Sequence, residues 1–411
     1  MSNTKPGQRA IENVSKKYAG PRPAGLRILS LLLRNLQHGE LQLALPDGEV
    51  LTFGTPTRDG AAVLRVHDNA FFTRTLRHGA MGFAESYMDG DWSSPDLAKL
   101  LILFNSNITM LQEKIGRNRL THWLNRIIHL LRPNTRKGAK RNIHAHYDLG
   151  NEFYALWLDT TMTYSSALFS DSQKSLRDAQ NDKYRALAAS TDIRPGDHVL
   201  EIGCGWGGFA EFAARELDCK VTGITISNEQ LAFAKNRIAK AGLQDKVDLR
   251  FCDYRDLDSQ YDRVVSIEMF EAVGESYWPT YFSKLHDCLK PGGRAGLQII
   301  TIAKERFEAY RKKTDFIQRY IFPGGMLPSP ERLDTEFAAA DLQLLAREDF
   351  AADYARTLAE WRLRFLDVWP EVQALGFDTR FRNMWEYYLA YCEAGFATNS
   401  IDVSHFTLTR D

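Results

Sequence analysis

The chain is 411 residues long, enough for a large core and two domains. Its 52 Lys and Arg balance its 52 Asp and Glu, so no global field draws it onto nucleic acid. The five cysteines, Cys204, Cys219, Cys252, Cys288 and Cys392, form no C-x-x-C pair. That excludes the usual zinc spacing and a disulfide framework, predicts no metal site, and suits a reducing cytoplasm.

Residues 1 to about 25 are rich in Lys, Gly and Pro and read as a tail without the apolar core of a signal peptide. No apolar run reaches the roughly 20 residues that span a bilayer. Leu26–Leu36 carries Arg27 and Arg34 and reads as an amphipathic helix. Leu41–Leu45 alternates, Pro46-Asp47-Gly48 is a turn signal, and Val50–Phe53 and Ala61–Val66 continue as strands. Helical patterns follow at Asn69–Arg77, Gly79–Met88 and Asp96–Phe104. Residues 1–110 are therefore expected to form a small α+β domain.

The composition then changes. Between Lys114 and Arg141 stand nine Lys or Arg and no Asp or Glu. Leu120, Trp123, Leu124, Ile127, Ile128 and Leu131 fall on one helical face. Residues 111–141 thus read either as a basic helix for an anionic membrane surface or as a linker helix packed on the next domain.

From residue 142 to 411 short apolar runs alternate with helical patterns. Strands are expected at 198–202, 220–224, 247–251, 262–267 and 294–302, with helices at 208–217, 228–241 and 278–289. This order predicts a doubly wound, mostly parallel α/β sheet. Beyond Thr301 the pattern is mainly helical, with strand-like runs at 342–348 and 403–409. A helical insertion between the late strands would form a lid over the ligand end of the sheet.

The most informative stretch is Glu201-Ile202-Gly203-Cys204-Gly205-Trp206-Gly207-Gly208. Strand, glycine turn and helix bring bare backbone N–H groups against a ligand. Gly203, Gly205 and Gly208 also satisfy the dinucleotide spacing G-x-G-x-x-G. A dinucleotide site, however, wants an acid about 20 residues on, and the second strand runs instead into Thr225-Ile226-Ser227. Glu201, two residues before the first glycine, is placed to meet an amino group. Together these favour S-adenosylmethionine, with a Rossmann-like class I methyltransferase fold.

Other segments then acquire roles. Asp253, after the third strand, could accept from the adenine amino group or simply close an Asx turn. Thr225 and Gln230 offer neutral hydrogen bonds to the ribose or the methionine carboxylate. After the fourth strand come Glu268 and Glu271. Glu271 is the stronger candidate for a buried functional carboxylate, while Glu268 reads as solvated or capping.

The stretches His146-Tyr147-Asp148-Leu149-Gly150-Asn151, Tyr164-Ser165, Gly203 to Gly208, Thr225-Ile226-Ser227 with Gln230, Asp253-Tyr254-Arg255-Asp256, Met269-Phe270-Glu271, Tyr320–Gly325, Trp369-Pro370-Glu371 and Tyr387-Tyr388-Leu389 resemble the cyclopropane-fatty-acyl-phospholipid synthases and the related mycolic-acid methyltransferases. The resemblance is close over 140–411 and looser over the first 110 residues, which look like the synthases' lipid-binding domain. It implies methylation, by S-adenosylmethionine, of the cis double bond of an acyl chain within a phospholipid, followed by loss of a proton and ring closure. It adds Tyr164, Ser165 and Tyr254 to the cofactor residues Glu201, Gly203, Gly205, Thr225, Gln230 and Asp253. It also implies a bound bicarbonate as base. Carried over by position, its ligands are Glu271, Tyr354 and the amide of Ile300, with Ser166 where the family has Cys and Gln298 where it has His. The departures remove an imidazole suited to proton transfer and leave open a methyl-branched or methylene product. Cys392 matches a cysteine considered catalytic in the family, though its helical, aromatic setting favours packing. The expected partners are unsaturated phospholipids at the inner membrane face and a second copy of the chain in a homodimer. Methyl transfer to another lipophilic molecule and a silent lipid-binding protein are the further alternatives.

Overall fold

The computed structural model describes residues 24–108 and 149–411. The expected tail, the basic segment 111–141 and His146-Tyr147-Asp148 lie outside the described residues. The chain divides into two compact units, one of residues 1–124 with 376–398, the other of 125–375 with 399–411.

In the first unit a four-stranded sheet has the order β2-β1-β3-β4. β1 (Glu40–Ala44) pairs antiparallel with β2 (Val50–Gly54) across the Pro46-Asp47-Gly48 turn and parallel with β3 (Ala62–Val66). β4 (Trp92–Ser93) closes the edge against β3. Leu41, Leu43, Leu51 and Phe53 alternate inward as the sequence pattern requires. Ala70–Met88 is one helix by hydrogen bonding, broken at Gly79, whose φ of 58° is not helical. This is the boundary that separates the two helical patterns in the sequence.

The helix Thr379–Ala397 packs with this unit, not with the second as the 142–411 boundary supposes. Its anchors are specific. Asn383 Nδ2 donates to the Tyr87 and Met88 carbonyls at 3.3 Å, Arg380 pairs with Asp89 at 2.9 Å, and Asn105 Nδ2 donates to Thr398 Oγ1 at 2.6 Å. Tyr387 meets Tyr87 with ring centroids 5.7 Å apart. Cys392 therefore sits on a helix of the first unit.

The second unit holds a seven-stranded sheet of order β10-β11-β9-β8-β5-β6-β7. β5 (His198–Ile202), β6 (Lys220–Thr225), β7 (Val247–Phe251), β8 (Tyr261–Ile267) and β9 (Leu289–Ile302) are parallel, while β11 (Ile401–Thr409) runs antiparallel beside β9 and β10 (Gln343–Asp349) pairs antiparallel with β11 at the edge. The central parallel strands β5, β6 and β8 are largely buried, whereas β7 at the edge buries one face. Leu200 and Val264 join Trp278, Phe282 and Phe337 in one layer, while Val199, Val221 and Val265 join Leu187, Phe209 and Ala213 in the other. β10 is exposed along its length and carries Arg347, Glu348 and Asp349, as suits an edge strand.

The strand order reverses at β5, which lies between β8 and β6. Ligands in such sheets bind at the carboxyl ends of the strands beside that reversal. The expected helical insertion is present. Ala351–Asp367, between β10 and β11, carries Tyr354 and Trp361 to the carboxyl end of β8.

Candidate active site

The first half of the site is the glycine turn after β5. Gly203, Gly205 and Gly207 have φ of 85°, 50° and 80°, a region that only glycine adopts without cost. A Cβ on Gly203 would stand 2.7 Å from Met269 Cγ, whereas one on Gly205 would meet nothing within 4 Å among the described residues. The turn is thus packed tightly on one side and open at Gly205. The helix Gly208–Glu216 starts directly after it, which aims its free N–H groups at the turn.

Glu201, the last residue but one of β5, is buried, with Oε2 unpartnered among the described residues. Burial pushes its carboxyl up to about 8, against the pull of the Ala210 amide and the Arg237 and Lys183 charges. A buried carboxylate oxygen lacking a donor is what a ligand ammonium would satisfy. On β6's side, Thr225 Oγ1 donates to Gln230 Oε1 at 3.2 Å and accepts from the Ser227 amide at 3.1 Å. Ser227 caps the helix Asn228–Lys240. Tyr254 stands against Tyr281 with centroids 5.3 Å apart.

Asp253 is less free than an adenine acceptor need be. Its Oδ1 accepts from the Arg255 amide at 3.0 Å and Arg255 Nε at 2.8 Å, and its Oδ2 from Arg255 Nη2 at 2.6 Å. The Asx turn is therefore realised. A carboxylate has about four lone-pair sites, so a further donor remains possible.

The second half surrounds the end of β8. Glu268 has φ of 49°, an uncommon setting for a residue with a side chain. Its Oε1 accepts from the Ser166 amide at 2.8 Å and Gln298 Nε2 at 2.7 Å, and its Oε2 accepts from the Tyr354 hydroxyl at 2.6 Å. Burial pushes this carboxyl up, while the Tyr354 and Ser166 hydrogen bonds, the Lys183 charge and Gln298 hold it down. Glu271 lies one 3-10 turn on. Its Oε1 accepts from the Ile300 amide at 2.6 Å, its Oε2 is unpartnered among the described residues, and burial and the Glu268 charge push it up to about 8.

These contacts correct two expectations. Glu268 is not a solvated or capping residue but the hub of the site. A bicarbonate also does not fit among the groups expected to hold it. The Ser166 amide, Gln298 and Tyr354 are directed at Glu268, the Ile300 amide at Glu271, and the Ser166 hydroxyl turns away to the Ala167 carbonyl at 2.9 Å.

Two residues behind this hub escaped the sequence reading. His405 on β11 lies opposite Gln298 on β9, with Nε2 3.0 Å from Gln298 Oε1. Burial and the Lys183 charge lower it to about 3, so it is neutral. Gln298 gives its N–H to Glu268, and His405 therefore donates to the Gln298 oxygen. Lys183, fully buried, donates to Ser165 Oγ at 2.7 Å. Burial lowers it to about 7, opposed by the charges of Glu268, Asp159 and Glu201. Its signal was present in the sequence, since Leu176, Ala179, Gln180, Lys183, Tyr184 and Leu187 share the buried face of one helix.

Aromatic rings wall the same region. Trp361, fully buried, lies 5.3 Å from Tyr164, 5.8 Å from Trp157 and 6.2 Å from Tyr354 between ring centroids. Tyr154 bridges Tyr164 at 5.3 Å and Trp206 of the glycine turn at 5.1 Å. The arrangement joins a glycine turn with an acid unpartnered among the described residues to a region holding Glu268, Glu271 and several π faces.

The comparisons agree with that chemistry. Residues 134–406 match the family described as mycolic acid cyclopropane synthetase. A tuberculostearic acid methyltransferase of Mycobacterium tuberculosis is 39% identical over 97% of this chain and 95% of its own length. The cyclopropane-fatty-acyl-phospholipid synthase of Escherichia coli K12 is 36% identical over 85% of this chain and 88% of its own. A cyclopropane synthase of Mycobacterium tuberculosis superposes with a TM-score of 0.62 at 29% identity, covering 66% of this chain and 98% of that one. A mycolic acid cyclopropane synthase solved with S-adenosylhomocysteine gives 0.63 at 30% identity, with the same coverage. The chain belongs to the mycolic acid cyclopropane synthetase family of S-adenosylmethionine-dependent methyltransferases.

Proposed function

We propose that this protein transfers the methyl group of S-adenosylmethionine to the cis double bond of an unsaturated phospholipid acyl chain and closes a cyclopropane. The observation that carries the reading is the carboxylate and aromatic pocket at the end of β8, beside the glycine turn. S-adenosylmethionine supplies an electrophilic methyl when bound. Glu201 Oε2 receives its ammonium, the turn at Gly203 and Gly205 admits its close approach, and Thr225, Gln230, Asp253, Tyr254, Tyr164 and Ser165 complete the cradle. An alkene is a weak nucleophile and attack leaves a carbocation, so the pocket must exclude water. The faces of Tyr164, Trp361 and Tyr354 suit a positive charge. Glu271, held by Ile300 and neutral below about pH 8, adds no second negative charge there.

The substrate side is a membrane surface. The basic segment 111–141 supports peripheral binding at an anionic, cytoplasmic leaflet, and a homodimer remains part of the proposal. Cys392, on its helix of the first unit, is assigned packing. The test is lipid analysis of cells with and without the protein. New acyl chains one CH2 heavier, with upfield cyclopropyl protons in the NMR spectrum, support the proposal. Heavier chains bearing vinylidene or branched-methyl signals replace the product with the second reading, which the likeness to a tuberculostearic acid methyltransferase favours. Unchanged lipids overturn both.

A further inference from the structure

Glu268 is held in a way that packing alone does not explain. Its backbone lies in the left-handed region at φ 49°, which strains a residue with a side chain. Its amide is fixed by the Gln298 carbonyl at 2.9 Å. Three donors from three other segments converge on its two oxygens, all at 2.8 Å or less. One of them, Gln298, is itself oriented by His405. A strained residue, aimed and then fixed by its surroundings, is a mark of a functional group. If the role were only to tie the segments together, an amide would serve with no charge to desolvate.

We propose that Glu268 is the base of the reaction, taking the proton lost from the newly added methyl group in place of any external anion. The proposal rests on the function proposed above. In the first step the alkene π pair forms the new C–CH3 bond, and the S–CH3 pair leaves with sulfur as S-adenosylhomocysteine. In the second a methyl C–H bond breaks. Its electron pair closes the third side of the ring, and the proton passes to the Glu268 carboxylate. If a hydride shifts along the chain first, the same methyl proton goes to the same carboxylate and the pair forms a C=C bond. Glu268 thus serves either product. The Tyr354, Ser166 and Gln298 donors fix the Glu268 oxygens and favour the charged form, while the upward push of desolvation makes that carboxylate a better proton acceptor. Glu271, pushed up to about 8, is already protonated near neutrality and cannot take this role there. The absence of a family histidine at 298 then has a reason. Gln298 holds the base and need not carry a proton.

The test uses the full-length protein, vesicles of dioleoylphosphatidylglycerol and labelled S-adenosylmethionine, in buffer stripped of bicarbonate and again with bicarbonate added. The wild type is expected to turn over equally in both. Glu268→Gln keeps an oxygen for Ser166 and Gln298 and presents an amide to the Tyr354 hydroxyl, which can accept. It should fold and bind S-adenosylmethionine as the wild type does, yet turn over about 100-fold slower or worse, the scale of a lost general base. Its turnover should also slow further with methyl-deuterated S-adenosylmethionine by a larger isotope effect than the wild type shows, which a merely structural role would not produce. Glu268→Gly, which relieves the backbone and vacates the carboxylate, should recover activity with added bicarbonate. A wild type that requires bicarbonate, or a Glu268→Gln variant with near-normal turnover, overturns the proposal. A wild type that binds S-adenosylmethionine but methylates no unsaturated vesicle fails at the proposed function itself, and Glu268 falls with it.

Discussion

Glu201 makes binding of S-adenosylmethionine measurable as a proton release. In the free protein burial holds its carboxyl near 8, so at pH 7 only about one molecule in ten carries the charge. A ligand ammonium beside Oε2 requires that charge. Binding at pH 7 must therefore expel nearly one proton, at a cost of about 1.4 kcal/mol for one unit of pKa. At pH 6 the gap is two units and the cost about twice as large. The sign follows directly. A group raised in the free protein is protonated below its pKa, so affinity climbs as pH rises toward 8. The expected climb is roughly tenfold per unit between pH 6 and 7 and smaller from 7 to 8, levelling above that. Calorimetry in two buffers of different ionisation enthalpy reads the released proton directly. Glu201→Gln removes the group, flattening the slope and weakening binding throughout. An affinity independent of pH from 6 to 8, with no proton released, would show that Glu201 meets the ligand as a neutral acid or not at all.

Three further outcomes are expected. Gly205→Val places a branched side chain into the open side of the turn at φ 50°. It should abolish S-adenosylmethionine binding while costing only about 1–3 kcal/mol of stability; wild-type affinity by calorimetry would remove the turn from the site. Trp361→Ala empties the centre of the aromatic wall and should cost about 3–5 kcal/mol in urea unfolding, a loss under 1 kcal/mol meaning that the wall is loosely packed. Binding to anionic vesicles should exceed binding to neutral ones and fall with salt, since each cation of the basic segment is worth about 1 kcal/mol near such a surface and is screened within roughly 8 Å at physiological salt. Equal binding to both vesicles would make that segment a plain linker.

The central parallel strands were legible because burial writes them as short apolar runs, and β7 because it alternates as a half-buried edge strand does. β5 and β7 match the sequence reading in full. β9 begins earlier than its apolar run, at Leu289, because Gly292 and Gly293 pair with Arg410 rather than turning away. The glycine turn and its acid were legible because strand, turn and acid are contiguous. The hub at Glu268 was not. Its donors stand 102, 30 and 86 residues away in sequence, and an acid at a strand tip looks solvated until the segments that cover it are placed. His405 was hidden for the same reason, since cross-strand register and not local pattern sets it against Gln298. Periodicity showed that Thr379–Ala397 is a helix but not which core its aromatic face joins.

That helix has a consequence for the order in which the protein can be made. The chain leaves the second unit after Leu375, contributes residues 376–398 to the first, and returns for its final strand. The first unit emerges first from the ribosome, yet it cannot complete its core until nearly the whole chain has been synthesised. Until then its surface awaits Trp385, Tyr387, Tyr388 and Leu389, all buried once the helix is in place. A truncation that removes residues 1–110 would not yield a clean catalytic half either. It would leave a 19-residue helix with an apolar, aromatic face and nothing to cover it. The two units alternate along the chain as four segments, so neither a single cut nor a circular permutation makes either one contiguous.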